Sequence, residues 1–398
     1  MALIQSGKDA NLYIGVMSGT SADGIDLALV DFQPNNSQLI ANDFTPYSNE
    51  LHQAITGLYL PGKNEIDRAY ALDVLLAREF AQAINRFLSK LTLTPKQIKA
   101  IGNHGQTIRH RPLSSQAFTV QITCNQTLAA LTGIRVIGDF RTKDMVYGGQ
   151  GAPLVPAFHQ YLFAQLAAKV KDIVVVNIGG IANISYLPQG SNNNAAPHDN
   201  SQEKAVLGFD TGPGNCLMDA WYQQHQTGHY DKNGQWAATG VCHQALLAEL
   251  LSDQYFCAKA PKSTGREYFH LDWLNQHITN LGTEKIASQD VQATLLTLTA
   301  ISISQEITSL TEHAAIYLCG GGTLNSVLVD AITKQLTNNS PSTHYDISTI
   351  DSLGINNDAF EAMAFAWFAY AFDQKIIGNV PSVTGAKKAL VLGVEFNL

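Results

Sequence analysis

Short apolar segments that each run into a glycine-containing turn are the feature that most limits the fold of this chain. Leu12–Met17 leads into Ser18–Asp26, and a second strand-like run leads into Gly179–Gly180. Two further segments of this kind end at Gly212–Gly214 and Gly320–Gly322. Glycine adopts positive φ easily and has no Cβ, so such a turn bends sharply and lets an anion approach backbone N–H groups. We therefore expect sheets whose strands end in turns suited to phosphate.

The segments between these turns alternate between helix-like and strand-like patterns. Apolar residues recur at helical spacing from Glu65 to Leu88, which predicts a long amphipathic helix with one buried face. Leu12–Met17 and Leu27–Phe32 are expected to pair as a hairpin, and Phe118–Ile122 is a further strand candidate. This alternation favours a layered α/β architecture.

Charge and apolar runs exclude several classes of function. The 398 residues include 25 Lys and Arg against 33 Asp and Glu, a net charge of -8 that argues against general affinity for nucleic acid or anionic membranes. The longest apolar run, Ala362–Phe372, is shorter than the roughly 20 residues of a membrane-spanning helix, so we expect a buried helix there. Met1–Asn11 does not resemble a secretory signal, so we expect the chain in the cytoplasm. The five cysteines are scattered without a CxxC pair, which indicates neither a disulfide framework nor a zinc site.

Glycine-rich and polar stretches mark the expected domain organisation. Gly148–Pro153 is suited to a bend or a domain crossing. Residues 188–204 are dense in Asn, Gln, Ser and Pro and predict a surface insertion. We expect an N-terminal domain of residues 1–140 and a C-terminal domain of residues 141–379, with about residues 380–398 packing back on the first domain.

Several longer motifs resemble those of one enzyme family. The motifs are Gly19–Asp26, Asn103–Arg109, Asp139–Arg141 with Gly148–Pro156, Asn177–Gly180, Gly208–Asn215, Lys262–Glu267 and Cys319–Gly322. Over nearly the whole chain, from about residue 13 to Pro381–Gly385, the sequence resembles anhydro-N-acetylmuramic acid kinases. The glycine turns follow neither GxGxxG nor GxxxxGK[ST], so they do not indicate a Rossmann site or a Walker-type loop.

The resemblance implies a fold and a reaction. The family belongs to the actin-like ATPase and sugar kinase superfamily, which implies an α/β fold of two RNase H-like domains flanking a central cleft and closing over ATP. The implied reaction converts 1,6-anhydro-N-acetylmuramic acid, ATP and water to N-acetylmuramic acid 6-phosphate and ADP, a step in recycling cell-wall murein. Water that attacks the anomeric carbon must lose a proton to a base, and phosphoryl transfer needs charge neutralisation, so Mg²⁺ is expected as a cofactor with ATP.

The resemblance places the nucleotide on the glycine turns. The implied contacts are Gly19, Thr20, Ser21, Ala22, Asp23, Gly24, Ile25 and Asp26 around the β- and γ-phosphates, Gly179 and Gly180 along the phosphates, and Gly320, Gly321 and Gly322 toward adenine and ribose. Asp23 and Asp26 are the candidate Mg²⁺ ligands, directly or through water. Asp23–Gly24 is also a turn-forming dipeptide in its own right, and the two roles are compatible.

Asp210 is the residue to which the resemblance assigns the catalytic base. It follows the apolar pair Val206–Leu207 and precedes a glycine turn, where a side chain can project from the end of a strand. The alternative is that Asp210 caps the helix expected from about Cys216, with Gly212–Asn215 as the first turn.

The sugar of the implied reaction carries a lactyl carboxylate and an N-acetyl group, so its pocket needs a cation and amide-type partners. Arg141 and Lys143 are the candidate cations, and arginine suits a bidentate grip on a carboxylate. Gln106, with His104 and Arg109, forms a second polar cluster, in which histidine has a structural role as the alternative. A last set of candidates has two readings each. Glu361 either contacts the sugar or is placed at the N-terminus of its helix because an acidic side chain interacts favourably with the helix dipole there. Lys262–Glu267 either contacts phosphate or substrate or forms internal ion pairs.

Two other functions are compatible with the fold that the resemblance implies. One is a kinase for another anhydrosugar, such as levoglucosan, and the other is an actin-like, ATP-dependent scaffold without a sugar substrate. The match at Asp210 and Asp139–Arg141, outside the nucleotide turns, favours the sugar kinase. We expect a small-molecule partner, with neither nucleic acid nor membrane, and the sequence leaves a homodimer open.

Overall fold

A computed structural model describes residues 10–33, 36–167, 171–190, 204–260, 262–282, 285–338 and 343–398. The chain divides into two compact units: unit 1 comprises Met1–Leu162 and Asp358–Leu398, and unit 2 comprises Phe163–Asn357. The division therefore lies some distance from the domain boundaries expected from the sequence, at residues 140 and 379.

The described residues form twelve strands and thirteen α-helices. The strands are β1 (Leu12–Ser18), β2 (Gly24–Gln33), β3 (Asn36–Pro46), β4 (Ile98–Arg111), β5 (Phe118–Ile122), β6 (Val136–Gly138), β7 (Asp172–Ile178), β8 (Ile181–Leu187), β9 (Leu207–Pro213), β10 (His313–Cys319), β11 (His344–Thr349) and β12 (Val394–Phe396). The helices are α1 (Asn49–Thr56), α2 (Glu65–Lys90), α3 (Asn125–Thr132), α4 (Thr142–Val146), α5 (Val155–Ala167), α6 (Cys216–His225), α7 (Gln244–Leu251), α8 (Gln254–Cys257), α9 (Leu271–Asn280), α10 (Ser288–Leu310), α11 (Ser326–Asn338), α12 (Phe360–Gln374) and α13 (Pro381–Thr384).

Unit 1 is built on a mixed sheet with the strand order β12-β6-β4-β1-β2-β3, and β5 pairs with the end of β4. Strands β1, β4 and β6 run parallel, whereas β2 pairs antiparallel with both β1 and β3. The predicted hairpin is confirmed, with Val16 opposite Leu27. The C-terminal strand β12 pairs antiparallel with β6, Val394 facing Gly138.

The apolar helix α12 belongs to unit 1 because the sheet has two positions shaped to receive it. A Cβ atom built on Gly15 of β1 would lie 1.8 Å from the carbonyl oxygen of Ala362, and one on Gly102 of β4 would lie 1.9 Å from that of Phe365. Only glycine lets the helix backbone come so close. The predicted buried helix is confirmed, since its apolar residues are almost completely buried. This packing explains why the division between units falls before α12 rather than after it.

Unit 2 repeats the same arrangement of strands. Its sheet has the order β11-β10-β7-β8-β9, in which β7, β10 and β11 run parallel and β8 pairs antiparallel with β7 and β9. In each unit, an antiparallel three-strand meander is thus extended by two parallel strands on the side of its first strand. The prediction of two RNase H-like α/β domains is confirmed.

The core of unit 2 forms between its sheet and the helices around α10. Val174, Val176 and Ile316 of the sheet pack with Leu295 and Leu298 of α10, all at most 1% exposed. Helix α10 is therefore a core helix of unit 2. Most of the expected surface insertion, residues 191–203, lies outside the described residues. In the described part of the chain, we find no helix with the length and apolarity needed to cross a membrane.

Candidate active site

The turn between β1 and β2, residues 19–23, is held in a strained form by the rest of unit 1. Ala22 has φ +53° although it is not glycine, a conformation that is costly and is typical of functional turns. Two carbonyl oxygens of the turn accept hydrogen bonds from outside it. Tyr59 OH donates to Thr20 O at 2.8 Å, and His52 Nδ1 donates to Ala22 O at 2.8 Å. Among the described residues, nothing accepts from the backbone N–H groups of Thr20 and Ser21. The turn therefore has donors available for an anion.

Gln106 supports this turn from the adjacent strand β4. Its Oε1 lies 2.6 Å from Ser18 Oγ, and its Nε2 donates to Gly19 O at 3.0 Å and to Tyr59 OH at 3.3 Å. The side chain is 0% exposed. In this structure Gln106 has no surface to offer a sugar, so its geometry fits a residue that positions the turn.

A group of carboxylates lies beside the same turn. Asp26 on β2 is partly buried, and its pKa is raised to about 7 by burial and by the charges of Asp23, Glu361 and Asp358. Asp23 is exposed and accepts a hydrogen bond from Ser21 Oγ at 2.9 Å. Negative charge has accumulated here that a cation would neutralise.

The residues present fit Mg²⁺ held through water rather than in a protein cage. In the described ranges, no three His, Cys, Asp or Glu side chains converge on a common point for a metal ion. Mg²⁺ usually keeps several waters and takes one or two carboxylates together with substrate phosphates. Asp23 and Asp26 supply such a pair next to a turn with free N–H groups.

Arg141 is the centre of a second polar group in unit 1. Its Nη2 donates to His104 Nε2 at 2.9 Å, and its Nη1 donates to the carbonyl oxygen of Gly151 at 2.7 Å. Burial lowers the pKa of Arg141 to about 10, while Glu361 and Asp144 favour its charged form. The guanidinium stays protonated at neutral pH and can bind a carboxylate.

His104 acts as an acceptor for Arg141 rather than as an acid or base. Burial, together with the charge of Arg141, lowers its pKa well below the usual value, so the ring is neutral. Its ring lies 4.6 Å from that of Phe365, centroid to centroid. The geometry of His104 therefore fits a structural role.

Other predicted sugar ligands lie in different surroundings. Lys143 is exposed and donates to the carbonyl oxygen of Val391 at 2.6 Å. Arg109 does not join a cluster with His104, because it pairs with Glu65 and donates to Leu58 O. Glu361 is partly buried in the first turn of α12 and acts electrostatically on both Asp26 and Arg141. Glu361 therefore connects the two polar groups of unit 1.

In unit 2, Asp210 lies within strand β9, not at its end. Its carboxylate accepts hydrogen bonds from Ser263 Oγ and from the backbone N–H of Thr264, both at 2.9 Å. Burial raises the pKa of Asp210 to about 6, against the effect of these two hydrogen bonds. The alternative of a helix cap is wrong: β9 continues to Pro213, and Asn215 is the N-cap of α6. Asp210 is thus a carboxylate with a pKa close to neutrality, as a general base requires.

The turn between β7 and β8 consists of Gly179 and Gly180 and is bound to the start of α6. The N–H groups of Gly214 and Cys216 donate to Gly180 O at 2.9 and 3.0 Å, and that of Asn215 donates to Gly179 O at 2.8 Å. Unlike residues 19–23, this turn contains no polar side chain of its own.

The three glycines after β10 differ in the space around them. A Cβ atom on Gly320 would lie 2.2 Å from Asn177 Oδ1, and one on Gly322 would lie 2.3 Å from Ile178 Cγ2. Gly321 has open space around the same position. Packing against β7 accounts for Gly320 and Gly322, and Gly321 is the one with room for a ligand.

Sequence reasoning did not assign the hydrogen-bond partners of the candidate site residues. Ser263 and Thr264 bond to Asp210, and Ser18 and Tyr47 lie 2.8 Å apart beneath the turn after β1. Ser263 and Thr264 lie inside the Lys262–Glu267 motif, so the motif was visible although its partner was not.

Comparison with known proteins identifies the family. The family model described as anhydro-N-acetylmuramic acid kinase matches residues 11–397. Two curated proteins named anhydro-N-acetylmuramic acid kinase are similar to the chain: one from Colwellia psychrerythraea is 54% identical, covering 98% of both chains, and one from Shewanella oneidensis is 46% identical, covering 97% of this chain and 98% of the relative. A solved activator of 2-hydroxyisocaproyl-CoA dehydratase from Clostridium difficile, with bound ADPNP, is 13% identical with a TM-score of 0.42 and covers 93% of this chain and 99% of its own. The family match spans both units, and the chain belongs to the anhydro-N-acetylmuramic acid kinase family.

Proposed function

We propose that the protein opens the 1,6-anhydro bridge of 1,6-anhydro-N-acetylmuramic acid with water and phosphorylates O6, giving N-acetylmuramic acid 6-phosphate and ADP. Family membership gives the reaction class, a kinase that uses ATP and acts on a small sugar. The single observation that supports the hydrolytic step is Asp210. Its carboxylate has a pKa of about 6 and is held in place by hydrogen bonds from Ser263 and Thr264.

Asp210 acts as the general base toward the attacking water. The water oxygen forms a bond to the anomeric carbon C1, the C1–O6 bond breaks, and the proton of the water passes to the Asp210 carboxylate. The released O6 takes the γ-phosphoryl group of ATP, and ADP leaves. Two hydrogen bonds to one carboxylate oxygen of Asp210 leave the other oxygen available for the water. A base with a pKa near the working pH is both deprotonated and able to take a proton.

The turn of residues 19–23 is proposed to bind the phosphates of ATP. The free N–H groups of Thr20 and Ser21 and the hydroxyls of the same residues supply the donors. Asp23 and Asp26 would hold Mg²⁺, which supplies charge neutralisation for phosphoryl transfer when bound. Glycine turns at residues 179–180 and 320–322 are proposed to complete the nucleotide contacts.

Arg141 is proposed to bind the lactyl carboxylate of the sugar. Its two bonds to His104 and Gly151 fix the guanidinium plane, and a fixed plane favours bidentate recognition of a carboxylate. Glu361 lies near enough to act on Arg141 electrostatically, and we propose that it contacts a sugar hydroxyl or amide. Gln106 and Lys143, expected from the sequence to contact the sugar, have protein partners that favour supporting roles.

The wider role proposed is in murein recycling and amino-sugar catabolism in the cytoplasm, where ATP is available. This location rests on the need of the proposed reaction for ATP.

The proposed reaction is tested by incubating the protein with ATP, Mg²⁺ and the anhydro sugar in ¹⁸O-labelled water. We expect a sugar phosphate with one ¹⁸O at C1 and ADP without released phosphate. Unlabelled N-acetylmuramic acid 6-phosphate, held in the same water for the same time, corrects for exchange at the anomeric position. Levoglucosan, which lacks the lactyl group, is expected to react at least 100-fold less efficiently. A product without label at C1 would contradict the hydrolytic mechanism, and equal use of levoglucosan would contradict the substrate.

A further inference from the structure

The only arginine between residues 163 and 357 lies against a turn assigned to the phosphates. A Cβ atom built on Gly180 would lie 2.8 Å from Nη2 and 2.9 Å from Nε of Arg266. The guanidinium of Arg266 therefore packs on the backbone of the turn between β7 and β8. Its side chain is exposed, so it has a face open to a ligand.

The guanidinium of Arg266 is not paired with a carboxylate of the described residues. Within the described part of the chain, Arg266 has no ion pair within 4 Å and no hydrogen bond from its side chain. Its charge does act on the carboxyl of Asp219, yet burial still raises the pKa of Asp219 to about 6. The other cation of the motif, Lys262, is buried, pairs with Glu306 at 2.7 Å and lies over the ring of Tyr255. Of these two cations, Arg266 alone is available.

The loop that carries Arg266 is the same loop that fixes the proposed base. Asp210 N donates to Lys262 O at 3.0 Å, and the Asp210 carboxylate accepts from Ser263 and Thr264. The hydroxyl oxygen of Thr264 is buried without a hydrogen-bond partner among the described residues, which points to a water or ligand on this loop. Only Gly265 separates Thr264 from Arg266, so the same loop contacts both the proposed base and the turn between β7 and β8.

Three backbone N–H groups around the start of helix α6 are not available to a phosphate at this turn. The N–H groups of Gly214 and Asn215, just before the helix, and of Cys216, its first residue, already donate to the carbonyl oxygens of Gly179 and Gly180. A phosphate along this turn would meet backbone that has lost these donors, with Arg266 as the nearby source of positive charge.

We infer that Arg266 is a catalytic residue that binds the γ-phosphoryl group as it moves from ATP to O6. An arginine fork matches phosphate oxygens geometrically and keeps its charge at every working pH. Charge on the equatorial oxygens must be stabilised during transfer, and a single arginine placed there can contribute several powers of ten in rate. This inference rests on the proposed kinase reaction, since it names the group that Arg266 contacts.

The test compares Arg266→Ala with Lys259→Ala, which removes an exposed cation from the neighbouring stretch of chain. We expect Arg266→Ala to lower kcat about 10²–10³-fold, the loss typical for removal of one donor to transition-state charge. Affinity for ADP should change less than threefold. The tighter binding of ADP with aluminium fluoride, which imitates the phosphoryl group in transit, should be lost. Lys259→Ala should leave all three measurements unchanged, and thermal unfolding of each variant checks that it is folded.

Gly180→Ala provides an independent route to the same residue, because its added Cβ meets only the Arg266 side chain below 3.0 Å among its three nearest atoms. If displacement of Arg266 is what lowers the rate, Gly180→Ala should cost little more on the Arg266→Ala background than Arg266→Ala alone. A loss of less than tenfold in kcat for Arg266→Ala, or an equal loss of affinity for ADP with and without aluminium fluoride, overturns the inference. Fully additive effects of the two substitutions overturn it as well. Wild-type protein that fails to phosphorylate the anhydro sugar would instead contradict the proposed function, and the nucleotide-binding measurements would still decide the role of Arg266.

Discussion

The turn after β1 in unit 1 and the turn after β7 in unit 2 occupy the same position in two sheets of the same strand order. The first is long, contains Thr20, Ser21 and Asp23, and is strained at Ala22. The second is the bare pair Gly179–Gly180, whose carbonyl oxygens are bound by the start of α6. One turn thus has polar groups of its own, whereas the other depends on a loop more than 80 residues further along the chain.

The difference shows how a repeated fold can divide one reaction. In unit 1 the turn itself offers N–H groups, hydroxyls and carboxylates, which suit phosphates and a cation. In unit 2 the turn has no polar side chains. The loop of residues 262–267 instead supplies Ser263, which donates to the carboxylate of Asp210, and Arg266, a cation that packs against Gly180. Under the proposed function, the turn of unit 1 binds phosphates and Mg²⁺ through its own groups, whereas unit 2 adds the base Asp210 and a cation, Arg266, from outside its turn.

The largest effect is expected from Asp210→Asn, because the proposed function assigns proton removal to this residue of unit 2 alone. The amide preserves the shape of the side chain but cannot take a proton, so kcat should fall at least 10³-fold while ADP binding stays within threefold. For the unchanged protein, a pKa of about 6 means that Asp210 is protonated in acid. The pH profile of kcat/KM should therefore fall below about pH 6. A variant that retains a tenth of the wild-type kcat would contradict the assignment of the base.

A smaller effect is expected from Gln106→Leu, which removes support from the turn of unit 1. Leucine cannot bond Ser18 Oγ or Gly19 O, so the turn should lose its position and KM for ATP should rise about tenfold, with a smaller change in kcat. The buried groups left unpaired should also cost about 1–3 kcal/mol of stability.

Gln121→Leu is the matched control, since Gln121 Nε2 donates to Thr107 on β4 and to Thr119 on its own strand, β5, and not to the turn. Its KM for ATP should not change. If both variants alter KM for ATP equally, the turn is not specifically supported by Gln106.

The smallest effect is expected from Asp26→Asn and concerns stability. Asp26 has a pKa of about 7 in the folded protein and an ordinary, lower value when unfolded, so folded protein binds this proton more tightly. Stability should therefore fall as pH rises from about 4 to 7, and Asp26→Asn should remove that loss. We expect a gain of about 1–3 kcal/mol in the free energy of unfolding at pH 8 and none at pH 4.

Asp330→Asn, which removes an exposed carboxylate from α11, is the matched control for the exchange of a carboxylate for an amide. If Asp26→Asn changed the free energy of unfolding equally at pH 4 and pH 8, burial and repulsion from neighbouring carboxylates would not destabilise the charged form of Asp26.

The hairpin of β1 and β2, the long helix α2 and the buried helix α12 could be predicted from the sequence, because each depends on local spacing of apolar residues. The placement of α12 in unit 1 could not, since it depends on contacts of Ala362 and Phe365 with glycines more than 250 residues earlier. The same limit applies to the site. Asp210 and residues 19–26 lie in continuous motifs, whereas the contact of Arg266 with Gly180 joins two motifs that only the folded chain brings together.

The close contact of α12 with Gly15 and Gly102 has a consequence for synthesis of the protein. Unit 1 needs a helix that begins at residue 360, so it cannot complete its packing until nearly the whole chain has left the ribosome. All of unit 2, residues 163–357, is made before that point. Since domains generally fold as units during translation, the second unit can reach its final fold while the first still waits for its last helix.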